Sequence, residues 1–380
     1  MSVIIGGDVC PTASNRELFI KGDAEALFGG EIVSLLNSAE HCIVNLETPL
    51  CGELHPIKKC GPALSAPIEC VNGFKAAHIG AVSIANNHIM DRGEAGLRMT
   101  LNALNENGIT FFGAGEDLLS AGRPYFMDAC GRRIGVIAYT EHEFSCAEEN
   151  KPGAAPFDPL YVYDETAEAK KLCDMLIVLY HGGKELYRYP SPRLRKVCRR
   201  FAEKGADIVL CQHSHCIGCM ETHEGAAIVY GTGNFLFDGN ADEAAQSGLL
   251  VTIGDNGKLG FKPVVKNGCG VSAASPEETE KIMSGFEERS RRIAEEGFVE
   301  KSYKEYASEQ KYGVITDFYG RESFIFKVLN RLSGNRLRDR AKRRKYGEAG
   351  LLRIRNLIEC ETWRELSIEV LKNEIGESEK

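Results

Sequence analysis

The chain has 380 residues, of which 43% are hydrophobic and 26% are charged, and its formal net charge is −8. This composition is that of a globular protein, so it excludes a collagen-like or largely disordered chain. We find no apolar run of about 18 residues, the length that a membrane span needs, and no basic and apolar leader at the start. We therefore expect a cytoplasmic location and reduced thiols for the 14 cysteines.

Short apolar runs rich in Val and Ile recur along the first two thirds of the chain and predict buried β-strands. Amphipathic patterns over 94–107 and 193–204 predict helices between them, each followed by glycine. This alternation of strands and helices predicts an α/β fold with buried sheets. The predicted strands are 3–7, 42–46, 81–85, 134–139, 175–180, 208–211, 227–230 and 249–253.

The pattern changes near residue 270, where charged helical segments replace the strand signals. We therefore predict a domain over 1–270 and a helical, partly basic extension over 271–380. Residues 331–345 contain eight Lys and Arg against Asp339, so the rest of the chain is more acidic than the whole. An acidic body argues against nucleic-acid binding. We interpret the basic segment as a solvated helical face, and weak contact with an anionic membrane surface is the alternative.

Six of the predicted strands end in a carboxylate, an imidazole or a carboxamide. In open α/β sheets a functional site lies off the carboxyl ends of the strands, so these six ends can converge. Two simpler readings stay open, a turn aspartate at Asp8 and a helix cap at Asn86-Asn87. The groups are Asp8, Asn45 with Glu47, Asn86 with Asn87 and His88, His181, His213 with His215, and Asn234.

The mixture of histidines and carboxylates among these groups points to a metal site. Nitrogen and oxygen donors together suit Zn, Mn, Fe or Co better than Ca. Three histidines and two carboxylates exceed the needs of one tetrahedral ion, so we predict two ions that share a carboxylate. Such a pair polarises a phosphoryl or acyl oxygen and activates water. We expect His213 and His215 on one side of an extended segment, where both face one cavity.

Several short motifs follow one another across about residues 1–255. They are Gly7-Asp8, Asn45–Pro49, Lys59–Pro62, Ala85–His88 with Asp91 and Gly93, His181–Glu185, Ala206–Val209, His213–His215 and Gly233–Asp238. Their order and spacing resemble the CapA family, the poly-γ-glutamate capsule biosynthesis proteins, whose core is related to calcineurin-like metallophosphoesterases.

The resemblance implies a four-layer αββα sandwich of the metallophosphoesterase type with two divalent transition-metal ions (Mn, Zn or Fe). It gives His88 the role of proton donor or electrostatic stabiliser of the leaving group. It places Glu185 and Asn234 behind the ligands or beside the substrate. The implied metal ligands are Asp8, Glu47, Asn87, His181, His213 and His215.

Two of the positions that depart from the pattern of the related proteins bear on the site. Cys10 stands where metallophosphoesterases commonly have histidine, and we expect a buried neutral thiol there, with a zinc-binding thiolate as the alternative. Gly182 stands where the family has tryptophan, which changes the wall of the pocket.

These features predict a metal-dependent hydrolase linked to poly-γ-glutamate, capsule or exopolysaccharide biosynthesis. Its substrate would be a small molecule or a polymer, cleaved at a phosphoester or an amide bond. Two alternatives stay open. One is a non-catalytic assembly or binding protein that keeps the metal site, and the other is a phosphodiesterase or nucleotidase unrelated to capsule.

Overall fold

The computed structural model describes residues 2–255, 257–311, 314, 318, 324–334, 336–337, 340 and 347–375. The chain divides into two compact units, Met1–Glu305 and Tyr306–Lys380. This division falls later in the chain than the change of composition near residue 270. Part of the basic run lies outside the described residues, namely Arg338, Lys342, Arg343, Arg344 and Lys345.

Among the described residues, the strands all belong to the first unit. They are β1 (Ser2–Cys10), β2 (His41–Leu46), β3 (Ala81–Ser83), β4 (Thr110–Phe112), β5 (Ala114–Gly115), β6 (Tyr125–Ala129), β7 (Arg132–Thr140), β8 (Gly153–Ala154), β9 (Met175–His181), β10 (Ile208–Gln212), β11 (Met220–His223), β12 (Ala226–Val229), β13 (Asn234–Phe237), β14 (Ser247–Gly254), β15 (Leu259–Asn267) and β16 (Gly270–Ala273).

The helices flank these strands and continue beyond them. They are α1 (Arg16–Lys21), α2 (Ala24–Phe28), α3 (Gly30–Ser38), α4 (Val71–Ala76), α5 (Gly93–Glu106), α6 (Leu118–Ala121), α7 (Val162–Lys170), α8 (Pro192–Glu203), α9 (Pro276–Ile293), α10 (Phe298–Glu309), α11 (Phe324–Leu332), α12 (Glu348–Glu359) and α13 (Glu361–Ile375). In the parts of the chain given above, no helix combines the length and the apolar character that crossing a membrane requires.

Two sheets form the centre of the first unit. One has the strand order β16-β15-β14-β1-β2-β3-β4, with β13 also paired to β1, and the other has the order β11-β12-β10-β9-β7-β6. Strands β1 to β4 pair in parallel, and so do β7, β9, β10 and β12. The carboxyl ends of these neighbouring strands therefore lie at one edge of each sheet.

Successive side chains of β1 face opposite sides of its sheet, as the pleat requires. Val3 and Ile5 pack between the two sheets, where they join Ile177 of β9. Ile4 faces the other way and belongs to the core that the first sheet forms with helices such as α1 and α5. The second sheet packs its outer face against Phe201 of α8. The order helix, sheet, sheet, helix confirms the predicted four-layer αββα sandwich.

A close approach of two glycines brings β13 beside β1. A Cβ atom at Gly7 would lie only 2.0 Å from the carbonyl oxygen of Gly233, so a larger residue would push the strands apart. With glycine there, Asn234 pairs in register with Asp8. The contact therefore places a predicted site residue directly beside a predicted ligand.

The elements agree closely with the predicted ones where the apolar signal is strong. The predicted strand 42–46 is β2, and the predicted helix 193–204 is α8, which begins with Ser191 accepting a hydrogen bond from the Leu194 amide. All 14 cysteines are free thiols in this structure.

The structure also continues the first unit past residue 270. Strand β16 pairs with β15, and α9 inserts Phe286 into the core between the sheets, with its ring centroid 5.2 Å from that of Phe261. The charged sequence of α9 hides this packing because, within it, only Phe286 and Ile293 are buried.

Candidate metal centre

The carboxyl ends of strands from both sheets deliver the predicted ligands to one place. Asp8 lies in β1 opposite Asn45 of β2, and Glu47 follows β2 directly. His181 is the last residue of β9 and pairs with Gln212, the last residue of β10. Asp8 therefore belongs to a strand, and its simpler reading as a turn aspartate is wrong.

Two groups of possible ligand atoms meet at Glu47. One atom each from Glu47, His181 and His213 lies within 4.8 Å of the others, and the same holds for Asp8, Glu47 and His215. Glu47 is common to both groups, as expected of a carboxylate shared by two ions. The structure thus brings these five side chains together, and their role as ligands stays a prediction.

The contacts around the His181 ring show why these groups suit a cation. Its Nε2 atom lies 3.4 Å from Oε1 of Glu47, 3.1 Å from Oδ1 of Asn87 and 3.2 Å from Nδ1 of His213. A single N–H can donate to only one of these neighbours at a time. Several electron-pair donors face each other here, and a positive ion would satisfy them together.

Glu47 supplies the strongest indication that a ligand completes this site. Its side chain is fully buried, and among the described residues neither carboxylate oxygen has a hydrogen-bond partner. A buried carboxylate without a partner is costly, because it has lost its water and gained nothing in return. The buried oxygens and the neighbouring imidazoles therefore fit divalent transition-metal ions.

The pKa values follow from this shared burial. Burial, and then the charge of Asp8, raises the pKa of Glu47 to about 8. Burial alone would raise the pKa of Asp8, but the hydrogen bond to His215 and the charge of His181 lower it to about 2. Burial lowers the pKa of His181 to about 4 and that of His213 to about 3. Both rings are thus neutral near pH 7, the form that binds metals.

The His-x-His segment reaches the site by a different geometry from the predicted one. Strand β10 ends at Gln212, and His213 and His215 have φ angles of +80° and +51°, so the expected extended conformation is wrong. Such left-handed conformations are uncommon and costly for residues other than glycine. The amide of His213 donates to Oδ2 of Asp8 at 3.1 Å, which helps to hold this turn.

Asn45 and Asn86 form a buried scaffold behind the ligands. Nδ2 of Asn45 donates to Oδ1 of Asp8 at 2.8 Å, and Oδ1 of Asn45 accepts from Asn86 at 3.0 Å. Oδ1 of Asn86 accepts from the His88 amide at 3.1 Å. Helix α5 begins only at Gly93, so the reading of Asn86-Asn87 as a helix cap is wrong.

His88 is held by a buried ion pair. Its Nδ1 atom lies 2.6 Å from Oδ2 of Asp91, and the other oxygen of Asp91 accepts from Nζ of Lys59 at 2.5 Å. The Leu64 amide also donates to Asp91, at 2.6 Å. The sequence motifs contained Lys59 and Asp91, but only the structure shows that they orient the imidazole.

The other two predicted site residues occupy different positions. Oδ1 of Asn234 lies 2.9 Å from Nδ1 of His215, and its amide group donates to the Ala245 carbonyl, so Asn234 orients His215. Glu185 is exposed, and its charge is a minor cause of the raised pKa of Glu47. The catalytic roles of His88, Asn234 and Glu185 stay predictions.

Two acidic residues beside the site were missed. Glu141 and Glu143 form a third group of possible ligand atoms with His213, also within 4.8 Å. Glu143 accepts from Nδ2 of Asn87 at 3.3 Å. Glu141 directly follows β7, so the rule that found the other strand-end groups would have found it as well.

Cys10 is a buried cysteine at the end of β1. Its side chain is buried, and burial followed by the charge of Glu47 raises its pKa well above the usual value. This agrees with the buried neutral thiol that we expected.

The fold and the candidate ligands define an α/β sandwich protein with a buried site suited to metal ions. Residues 2–239 match the family model described as bacterial capsule synthesis protein PGA_cap, and the chain belongs to this family.

Two curated relatives share about half of the chain. PGA biosynthesis protein CapA of Bacillus subtilis (strain 168) is 31% identical over 185 residues, which cover 48% of this chain and 49% of the relative. Capsule biosynthesis protein CapA of Bacillus anthracis is 28% identical over 201 residues, which cover 51% of this chain and 49% of the relative. The chain thus spans about half the length of the curated relatives it matches.

Solved structures show a more distant likeness. A novel phosphatase from Mycoplasma pneumoniae is 15% identical, with 75% of this chain and 98% of that chain covered and a TM-score of 0.42. A 5'-nucleotidase precursor from Thermus thermophilus is 13% identical, with 82% and 59% covered and a TM-score of 0.39.

Proposed function

We propose that this chain is a metal-dependent hydrolase of poly-γ-glutamate capsule synthesis. It would cleave a phosphoester or an amide bond in a substrate of that process. The fully buried carboxylate of Glu47, unpartnered among the described residues and shared by two groups of ligand atoms, carries this proposal. Family membership and the names of the relatives support the link to the capsule polymer.

Each of the two groups of side chains would bind one metal ion. Glu47 with His181 and His213 would hold one divalent transition-metal ion (Mn, Zn or Fe), and Glu47 with Asp8 and His215 would hold a second. When bound, such ions polarise the oxygen of the scissile group and lower the pKa of water. Asn45 fixes the carboxylate of Asp8 by its hydrogen bond.

His88 would act as the proton donor. Because Asp91 contacts Nδ1, the transfer takes place at Nε2. Lys59 neutralises Asp91, which limits the build-up of negative charge behind the ring. His88 would donate this proton to the departing oxygen or nitrogen, a contribution that is typically about 10²- to 10⁴-fold in rate.

The metal content of the purified protein tests the first step. We expect up to two transition-metal ions per chain by elemental analysis, and a clear loss in His213→Ala, which removes a member of one group. His223→Ala is the matched control, because His223 lies in β11 and contacts Glu203 instead. The proposal would be contradicted if wild-type protein purified without chelator contained no metal and if added metal did not change its stability.

Hydrolysis assays then separate the kinds of activity. We expect metal-loaded protein to cleave either an activated phosphoester or γ-linked glutamyl oligomers, and His88→Ala to slow that same reaction. A protein that binds metal but cleaves neither substrate would favour the non-catalytic alternative. Cleavage of nucleotides or phosphodiesters with no effect on glutamyl oligomers would favour a role outside capsule synthesis.

A further inference from the structure

A cavity lies in the first unit, outside the two groups of ligand atoms. Its volume is about 720 Å³, within the roughly 300–1,000 Å³ that is usual for small-molecule sites. Its walls come from the loop after β9, the segment after His215, strand β15 and helix α9. We call it the arginine cavity, after Arg188 and Arg289 in its lining.

The two guanidinium groups are fixed by backbone carbonyls. Arg289 donates from Nε to the Gly218 carbonyl at 2.7 Å and from Nη2 to the Ile217 carbonyl at 3.2 Å. Arg188 donates from Nη1 to the same Ile217 carbonyl at 3.1 Å. Two positive groups are therefore held side by side in fixed positions. Burial, and then the charge of Arg188, lowers the pKa of Arg289.

The acidic residues in the lining do not balance this charge. The carboxylate of Glu243 lies 3.5 Å from Arg188, but its side chain is 84% exposed, so water screens the pair. Glu278 caps the start of α9 through the Ser275 amide. For Arg289, the described residues offer no carboxylate partner, and the exposed Lys281 adds a further positive charge.

A glycine inside α9 keeps one edge of the Arg289 guanidinium open. A Cβ atom at Gly285 would lie 3.1 Å from Nη1 of Arg289, which is too close for comfortable contact. Glycine is unfavourable in the interior of a helix compared with alanine. Gly285 therefore lowers the stability of α9 but leaves room beside the guanidinium group of Arg289.

We propose that the arginine cavity binds an oxyanion, either a carboxylate or a phosphate group, of an acidic ligand. Arginine offers several N–H donors in a planar fork that matches the oxygens of both groups. Two such forks, already held in place, bind an anion without having to be ordered first.

The cavity adjoins the candidate metal centre along the chain. Ile217 lies two residues after His215, and Gln246 of the lining follows Ala245, which accepts a hydrogen bond from Asn234. If an acidic polymer is the substrate, a part of it bound in the cavity would lie near the segments that carry His215 and Asn234. This last step rests on the proposed function, whereas oxyanion binding itself does not.

Calorimetric titration of the full chain tests the binding. The probes are a γ-linked glutamate tetramer, inorganic tripolyphosphate and an uncharged γ-linked glutamine tetramer. We expect at least one of the two anions to bind, more weakly as salt is raised, and the glutamine tetramer not to bind. Binding of the glutamate tetramer alone assigns a carboxylate ligand, and binding of tripolyphosphate alone assigns a phosphate ligand. Equal binding of all three probes, or of none, overturns the proposal.

Variants locate the binding in this cavity. We expect Arg289→Gln to weaken binding more than tenfold and Lys281→Gln to weaken it a few-fold. Lys196→Gln removes the same charge from an exposed position on α8 that does not line the cavity, so it should leave binding unchanged. Anion binding that is equally strong in all three variants overturns the proposal.

Gly285→Ala provides a test that does not depend on a destabilised protein. The added methyl group crowds Nη1, so binding should weaken about two- to fivefold, while helix propensity favours alanine and thermal stability should not fall. Unchanged anion affinity in Gly285→Ala, Lys281→Gln and Arg289→Gln alike would contradict the assignment.

His213→Ala separates this inference from the proposed function. This variant removes a candidate metal ligand but no lining residue of the cavity, so it should lose metal and keep anion binding. Retained binding with no hydrolysis by any preparation would refute the hydrolase and leave the oxyanion site standing. Loss of anion binding in His213→Ala, with full binding in Arg289→Gln, would place the anion at the metal centre instead.

Discussion

Two glutamates of the first unit, Glu47 and Glu221, show how differently a protein can hold a carboxylate away from water. Glu221 accepts hydrogen bonds from Arg195 at 3.1 Å, from Arg199 at 2.6 Å and from the Tyr230 hydroxyl at 2.6 Å. The oxygens of Glu47 have no such partner among the described residues.

The pKa values of the two glutamates reflect this difference in hydrogen-bond partners. Burial alone would raise the pKa of Glu221, but the hydrogen bonds from Arg199, Tyr230 and Arg195 lower it to about 2. Burial and the charge of Asp8 raise the pKa of Glu47 to about 8. A buried carboxylate that has hydrogen-bond partners in the protein stabilises the fold. A buried carboxylate without such partners needs a bound ligand to supply them.

The largest expected effect is that of Glu47→Gln on metal binding and activity. The substitution removes the carboxylate common to both groups of ligand atoms. We expect strong loss of bound metal and a fall in hydrolysis of about 100-fold or more, since even residues behind a metal ligand account for about 10–100-fold. Elemental analysis and steady-state kinetics measure these losses.

The stability of metal-free Glu47→Gln supplies the control. With a pKa of about 8, Glu47 is mostly protonated at neutral pH in the absence of metal, so glutamine resembles the existing side chain. Denaturant unfolding with chelator present should thus be nearly unchanged. A large loss of stability there would mean that Glu47 supports the fold directly.

Glu221→Gln should show the opposite behaviour. It leaves two arginines facing a neutral side chain, so we expect the free energy of unfolding to fall by about 2 kcal/mol. Metal content should stay at the wild-type value, because Glu221 belongs to neither group of ligand atoms. Denaturant unfolding and elemental analysis of the same preparation check both expectations, and reduced metal content would break the comparison.

The pH dependence of stability sharpens the same contrast. The folded pKa of Glu221, about 2, lies below its ordinary value of 4.5. Its contribution is therefore fully present above about pH 4.5 and is lost as pH falls toward about 2. The stability difference between wild type and Glu221→Gln should shrink across this range. A difference that stays constant across it would show that the ion pairs do not cause the stabilisation.

The smallest of these effects is expected for Asp91→Asn. This carboxylate already has two side-chain partners, His88 and Lys59. The change weakens the hold on Nδ1 of His88, so we expect kcat to fall about tenfold with metal content retained. The loss should appear in kcat and not in KM, whereas a merely structural role for Asp91 would lower the fraction of folded protein and leave kcat per folded chain unchanged. Lys59→Met, which keeps the Asp91–His88 contact, should lower kcat less.

Much of the fold could be predicted because it depends on local patterns. Short apolar runs such as 42–46 and 175–180 have the length and composition of buried strands. The helical period over 193–204 places the apolar residues on one face of a helix. Polar residues directly after these runs pointed to a shared site, since parallel strands end at one edge of a sheet. The motif order then indicated the family. These features needed only neighbours in the chain.

The tertiary structure alone decided how those residues are used. The sequence marked Glu47 as a strand-end carboxylate, but it could not show that Glu47 lacks hydrogen-bond partners among the described residues while Glu221 has three, because a carboxylate's pKa depends on its burial and on partners distant in sequence. The same holds for the left-handed turn at His213, which Asp8 helps to hold from another sheet, and for the arginine cavity, whose walls come from separate parts of the chain. Solvation and pairing are properties of the folded chain, so the sequence could name the chemically able residues but not which of them would be left in need of a ligand.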